Sequence, residues 1–210
     1  MRLRGLYAIT TDSRDSEALI ERVRLGLSAA SPSPVAVLQY RNKLADLAAR
    51  RREAAALATL CRASDVPFVV NDDLELALEV DADGLHLGRE DGDLARARAR
   101  LGERLLGASC YNELERARAA IAAGANHVAF GSVFPSATKP AAARAPLEIF
   151  AAARALGVPV VAIGGITLHN AREAIRAGAD MVAVISDLFD AADIAEQACA
   201  YARIFEEEQP

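Results

Sequence analysis

The chain of 210 residues has no tryptophan, two methionines and three cysteines. The cysteines stand at 61, 110 and 199, without the short spacing of metal ligands. An odd, sparse set does not make a disulfide framework, and it predicts reduced thiols in a cytoplasmic setting. No apolar run reaches the length needed to cross a bilayer. The opening MRLRGLYAITTD brings charge in too early for a secretory signal. Neither sign of charge dominates: 24 Lys plus Arg against 29 Asp plus Glu leave a net −5. That balance argues against nucleic acid or an anionic membrane as the main partner. It leaves room for a local cationic pocket. Linkers and low-complexity segments are missing too, so a single domain over 1–210 is expected.

What is present is alternation. Short runs such as LYAIT, VAVLQY, PFVVN and GLHLG each precede a longer stretch rich in Ala, Leu, Arg and Glu. LLGASC, HVAFGSV (127–133), PVVAIGG and MVAVIS continue the pattern, HVAFGSV leading to a helix over 145–157 and MVAVIS to one over 191–208. The short runs are rich in Val and Ile and nearly free of charge, as parallel strands buried on both faces must be. The longer stretches are good helix formers. Asp73 and Asn112 are expected as N-caps, and Gly102, Gly124 and Gly178 as C-terminal stops. Eight such pairs predict an α/β chain closed as a (β/α)8 TIM barrel. A doubly wound open sheet is the alternative, and the count of eight favours the barrel.

In such a barrel the chemistry sits where the strands end. The residues following the second strand onward are polar and of consistent type. QYRNK supplies Gln39, Arg41 and Lys43; ND supplies Asn71 and Asp72; GREDGD supplies Asp91; the fifth run holds Ser109. The sixth run opens into FPSATK, with Ser136, Thr138 and Lys139, the seventh ends in Gly164 and Gly165, and the eighth in Ser186. Arg41, Lys43 and Lys139 offer donors suited to phosphate oxygens. Asp72 and Asp91 are carboxylates of the kind that hold magnesium together with substrate phosphates. The glycine pair and the serine suit a backbone cradle for a second phosphate.

These residues carry a resemblance. LYAITTD, VLQYRNK, FVVNDDLELAL, DGLHLGRED, LLGAS, FGSVFPSATK, VPVVAIGGITLHNA and GADMVAVIS occur in the order found in thiamine-phosphate synthases, and the chain resembles that family along nearly its whole length. The resemblance implies a Mg²⁺-dependent transferase joining a hydroxymethylpyrimidine diphosphate to a thiazole phosphate. Gln39, Tyr40, Arg41, Asn42 and Lys43 would then hold the diphosphate substrate, with Asn71 and Ser109 beside it. Asp72 and Asp91 would bind the metal. Ser136, Ala137, Thr138, Gly165, Ile185 and Ser186 would hold the thiazole phosphate, with Lys139 reaching the diphosphate. Arg41, Lys43, Ser109 and Lys139 would do the catalytic work. A homo-oligomer is compatible with all of this.

Departures from the family pattern are few. Asn42 stands where an acid is usual, Ser136 where Thr is common, and Ser132 where Pro is common, which is expected to loosen the loop. His86 is expected to pack within the barrel, His127 and His169 to be structural or solvated, and Cys110 to pack. The arginine-rich AARRREA and ARARARLG read as solvated helix faces. Two rival functions stay open at this point. One is a thiazole tautomerase-like isomerase on the same barrel. The other is a protein that binds thiazole phosphate without turnover.

Overall fold

The computed structural model describes residues 3–135 and 144–208, so Ser136, Ala137, Thr138 and Lys139 lie outside the described residues. Eight parallel strands pair in chain order and close: β1 Gly5–Ile9, β2 Val35–Tyr40, β3 Phe68–Asn71, β4 Gly84–Leu87, β5 Leu105–Tyr111, β6 His127–Phe130, β7 Val160–Ile163 and β8 Met181–Val184. Along each strand successive side chains point to opposite faces. Tyr7, Ile9, Val37, Val69, Ala129, Val161, Met181 and Ala183 form one buried cluster inside the barrel. Their neighbours Leu6, Ala8, Leu38, Val70, Val128, Val182 and Val184 face outward into a second, larger cluster shared with the helices. Both faces are apolar, which is why the strand runs carry almost no charge.

The helices are α1 Ser16–Leu27, α2 Leu47–Ala63, α3 Leu74–Glu79, α4 Leu94–Leu101, α5 Leu114–Ala122, α6 Glu148–Ala153, α7 Ala171–Ala177, α8 Ser186–Phe189 and α9 Ile194–Glu207. Aspartates open most of the longer ones. Asp15, Asp46, Asp73, Asp93 and Asp193 each accept a hydrogen bond from the backbone N–H three residues on. Each such cap contributes about 1 kcal/mol. Asn112 is not a cap: Glu113 holds that position, without a side-chain bond. Gly102 and Gly178 end α4 and α7 with positive φ, as expected.

Three element boundaries differ from the sequence reading. The run 127–133 is strand only to Phe130, because Gly131 N–H donates back to Tyr111 O while Val133 and Phe134 N–H donate to Ile163 O and Gly164 O. The stretch 145–157 is a short α6 followed by a 3-10 turn, Arg154–Leu156. The stretch after β8 is two helices rather than one, the four-residue α8 preceding α9.

The ring closes where β8 pairs with β1. Arg4 fastens α9 across this seam, donating to Phe205 O and Glu208 O at 2.8 Å each. Arg172 and Arg176 on α7 reach the Glu208 carboxylate at 3.0 and 2.7 Å.

Candidate active site

The carboxyl ends of β2, β3 and β4 bring the first group of predicted residues together. Tyr40, Arg41, Asn42, Lys43, Asn71 and Asp72 line one cleft of about 280 Å³. Lys43 Nζ lies 3.9 Å from Asp72 Oδ2. Asp72 and Asp91 face each other closely enough to share a hydrogen bond. Asp91 Oδ2 is anchored in turn by Gly88 N–H at 3.1 Å. Asp72 adopts φ +65, a left-handed conformation that suits Asp far better than a branched residue. Burial, then the adjacent Asp91 charge, push its carboxyl up to about 6, against the opposing pull of Lys43 and Asn71.

Two supports for this cleft were not foreseen from the sequence. Asp12, in the loop after β1, accepts from Arg41 Nη1 at 2.9 Å and from Lys43 N–H at 2.6 Å. It fixes both the arginine head and the backbone of its loop. Glu53 lies in AARRREA, read above as a solvated face, yet it is only 1% exposed. Its carboxylate accepts from Ser16 Oγ (2.5 Å), Tyr40 Oη (2.7 Å) and Asn42 Nδ2 (3.0 Å). Tyr40 and Asn42 therefore spend their polar groups on the loop's foundation. Asn42 also donates to Ser13 O and accepts from Ser13 N–H.

This arrangement accounts for an amide at 42, because the acid is already supplied by Glu53. Asn42→Asp would set a second carboxylate against Glu53 in a buried place. We expect a Tm lower by roughly 3–10 °C at pH 7, from about 1–3 kcal/mol of unmet burial. The deficit should shrink toward pH 4 as the pair takes up a proton, which a melting series across that range would reveal.

Deeper in the barrel, Gln39 and Asn71 are joined by a bond from Gln39 Nε2 to Asn71 Oδ1 of 2.8 Å. Ser109 Oγ sits 2.9 Å from His86 Nε2. His86, Gly107 and His127 are register neighbours on β4, β5 and β6, and the two imidazoles meet over the glycine with centroids 5.7 Å apart. His127 is fully buried, and both its ring nitrogens and His86 Nδ1 lack a hydrogen-bond partner among the described residues. Burial holds His86 down to about 4 and His127 down to about 3, so both rings are neutral near pH 7. Cys110 points outward into the helix layer, its thiol pushed up to about 12 by burial, consistent with packing.

At the other side of the rim, Gly164 and Gly165 follow β7 with φ +99 and +65. A Cβ at Gly165 would stand 2.4 Å from Pro135 O, so only glycine lets the β6 and β7 loops approach this closely. Ile185 is half-buried just before α8, and Ser186 is exposed as its first residue. Ser132 donates to Phe134 O at 3.0 Å, a local tie in the loop that was expected to be loose.

Charged side chains gathered at the carboxyl mouth of an eightfold barrel are the arrangement of a barrel enzyme acting on small molecules. Residues 6–188 match the family model described as thiamine monophosphate synthase. A thiamine-phosphate synthase of Aromatoleum aromaticum is 58% identical over 207 residues, covering 98% of each chain. One from Azoarcus sp. is 54% identical over 97% of this chain and 98% of its own. The solved thiamine phosphate pyrophosphorylase of Pyrococcus furiosus superposes with a TM-score of 0.86 at 35% identity, covering 98% of this chain and 97% of that one. The chain belongs to the thiamine monophosphate synthase family. Among the described residues, no helix is long and apolar enough to cross a membrane.

Proposed function

We propose that the chain transfers an aminopyrimidine-methyl group from its diphosphate to the nitrogen of a thiazole phosphate, releasing pyrophosphate and forming thiamine monophosphate. The observation that carries this reading is the convergence of Arg41, Lys43 and Asp72 on one cleft, with Asp91 against Asp72. The carbon–oxygen bond to the diphosphate breaks at a carbon attached to an electron-rich ring. Positive charge left on that carbon is shared by the ring, and the thiazole nitrogen closes the new bond. No protein nucleophile is needed. The protein's tasks are to neutralise the departing anion and to hold the second ring in line.

Arg41, held by Asp12, and Lys43, beside Asp72, supply fixed positive charge for the diphosphate. Asn71 and Ser109 meet the pyrimidine, while Gly165 and Ser186 offer backbone and hydroxyl donors to the thiazole phosphate. Asp72 and Asp91 fit a hard divalent cation: two oxygen donors, mutually repelling and only partly neutralised by Lys43. Mg²⁺ held there with substrate phosphates and water would act as a Lewis acid toward the leaving group.

The deciding experiment incubates the protein with both substrates and Mg²⁺ and assays for thiamine monophosphate; no product at saturation would defeat the proposal. Calorimetry in parallel would separate binding without turnover. Lys139→Ala is expected to lower kcat/KM roughly 10- to 150-fold, the equivalent of one charge-assisted hydrogen bond of about 1.5–3 kcal/mol. An unchanged kcat/KM would take Lys139 out of the mechanism.

A further inference from the structure

The geometry points to Tyr7, on the barrel floor, as the positioning residue that sets the hydrogen-bond polarity of the pyrimidine side of the mouth and so its choice of heterocycle. The inference rests on the function proposed above, and it concerns a residue that no part of that mechanism uses. Tyr7 is 2% exposed and lies among Ile9, Val37, Val69 and Met181. Its hydroxyl donates to Gln39 Oε1 at 2.7 Å. Gln39 Nε2 donates to Asn71 Oδ1 at 2.8 Å. Three side chains thus form one file rising from the floor to Asn71 in the lining of the cleft, and both donors in it face upward.

A file of amides could run in either direction. Here the floor fixes it. At the floor, Gln39 is the only hydrogen-bond partner of the Tyr7 hydroxyl among the described residues. If Gln39 were turned over, the phenol would have to accept, and its proton would be buried with nothing to receive it. Burial drives the Tyr7 hydroxyl far above its usual value, so it does not ionise and remains a donor.

The consequence reaches the substrate. Asn71 has its oxygen occupied from below, so what it shows to the cleft is N–H. Gln39 likewise has its oxygen held by Tyr7. A ring entering this side meets amide N–H donors whose companion oxygens are already engaged. It is matched best by a ring that offers an unprotonated ring nitrogen, as an aminopyrimidine does. A site built around such a bond rejects a ring lacking the acceptor far more strongly than one that only fits its shape.

The test is competitive binding, with Mg²⁺ present, of the aminopyrimidine-methyl diphosphate and of its two pyridine analogues, each with one ring nitrogen replaced by C–H. The wild-type protein is expected to bind one pyridine analogue at least about ten-fold more weakly than the pyrimidine. Tyr7→Phe, which frees the file to reverse, is expected to shrink that preference to roughly three-fold or less while leaving thiazole phosphate affinity unchanged. A general loss of packing would weaken both substrates together. Should Tyr7→Phe not fold, Gln39→Glu breaks the same file by removing its N–H, and the same loss of preference is expected. Either variant keeping the wild-type ranking overturns the inference, as does a wild-type protein indifferent to all three rings. A wild-type protein that binds no pyrimidine diphosphate defeats the proposed function itself, and this inference with it.

Discussion

Asp72→Asn is expected to make the metal-free protein more stable and the enzyme poor, lowering kcat/KM by at least about a hundred-fold. The carboxyl is raised to about 6 in the folded chain by burial and by Asp91. A carboxyl whose folded value lies above its unfolded one binds its proton more readily when folded. Stability is therefore lost as pH rises from about 4 to about 6, and the full penalty is felt above that. Asn removes the charge and accepts the φ of +65 at this position without difficulty. Its Tm should exceed that of the wild type at pH 7.5, with the gap closing as pH falls toward 4. Adding Mg²⁺ should raise the wild-type Tm and leave the variant's in place, because a cation stabilises only the form that binds it. A variant no more stable than wild type at pH 7.5 would mean the two carboxylates do not oppose each other. The expected gain would mark the site as one where function is maintained against stability.

The second large effect concerns Gly107→Ala. A Cβ there would stand 2.1 Å from His127 Nε2 and 2.4 Å from His86 Nδ1, inside a closed barrel. Neither imidazole can swing to solvent, since His127 is 1% and His86 8% exposed. Overpacking of this kind costs about 1–3 kcal/mol, or roughly 3–10 °C in Tm for a chain of this size. His86 would also be driven off Ser109, and we expect kcat/KM to fall about ten-fold with it. Thermal melts and initial rates on one preparation check both parts. An unchanged Tm would show that the rings do not meet over Gly107.

The barrel was legible because strands buried on both faces have a plain signature: short, branched and uncharged, each followed by a helical stretch. What escaped was where a run stops pairing. HVAFGSV reads as one strand, but whether Gly131 joins the ladder depends on β5 and β7, which are distant in sequence. The break between α8 and α9 escaped for a related reason. Nothing in SDLFDAAD forces two helices until Tyr201 and Gln197 reach back to Asp187.

The candidate site was legible as far as one rule was applied. Reading the residue after each strand found Arg41, Lys43, Asn71, Asp72 and Asp91, and the fold brings these to one mouth. Applied to the first strand as well, the same rule reaches Asp12 through AITTD. Glu53 had no such signal. Among arginines on a helix it looks solvated, and only the packing of α2 against the loops after β1 and β2 turns it inward. Tyr7 and His127 were hidden differently, since an aromatic side chain in an apolar strand gives no hint of what its polar atom meets.

The clasp made by Arg4 on α9 bears on how the molecule comes into being. Its partners lie more than two hundred positions away along the chain. During synthesis the first strand must wait beside an open edge until the eighth emerges, and the ring is locked only when the final turn of α9 arrives. Closing so long a loop is slow, because entropy is given up before contacts return it. For most of translation, then, the nascent chain carries an uncapped edge on β1 that invites pairing with a neighbour.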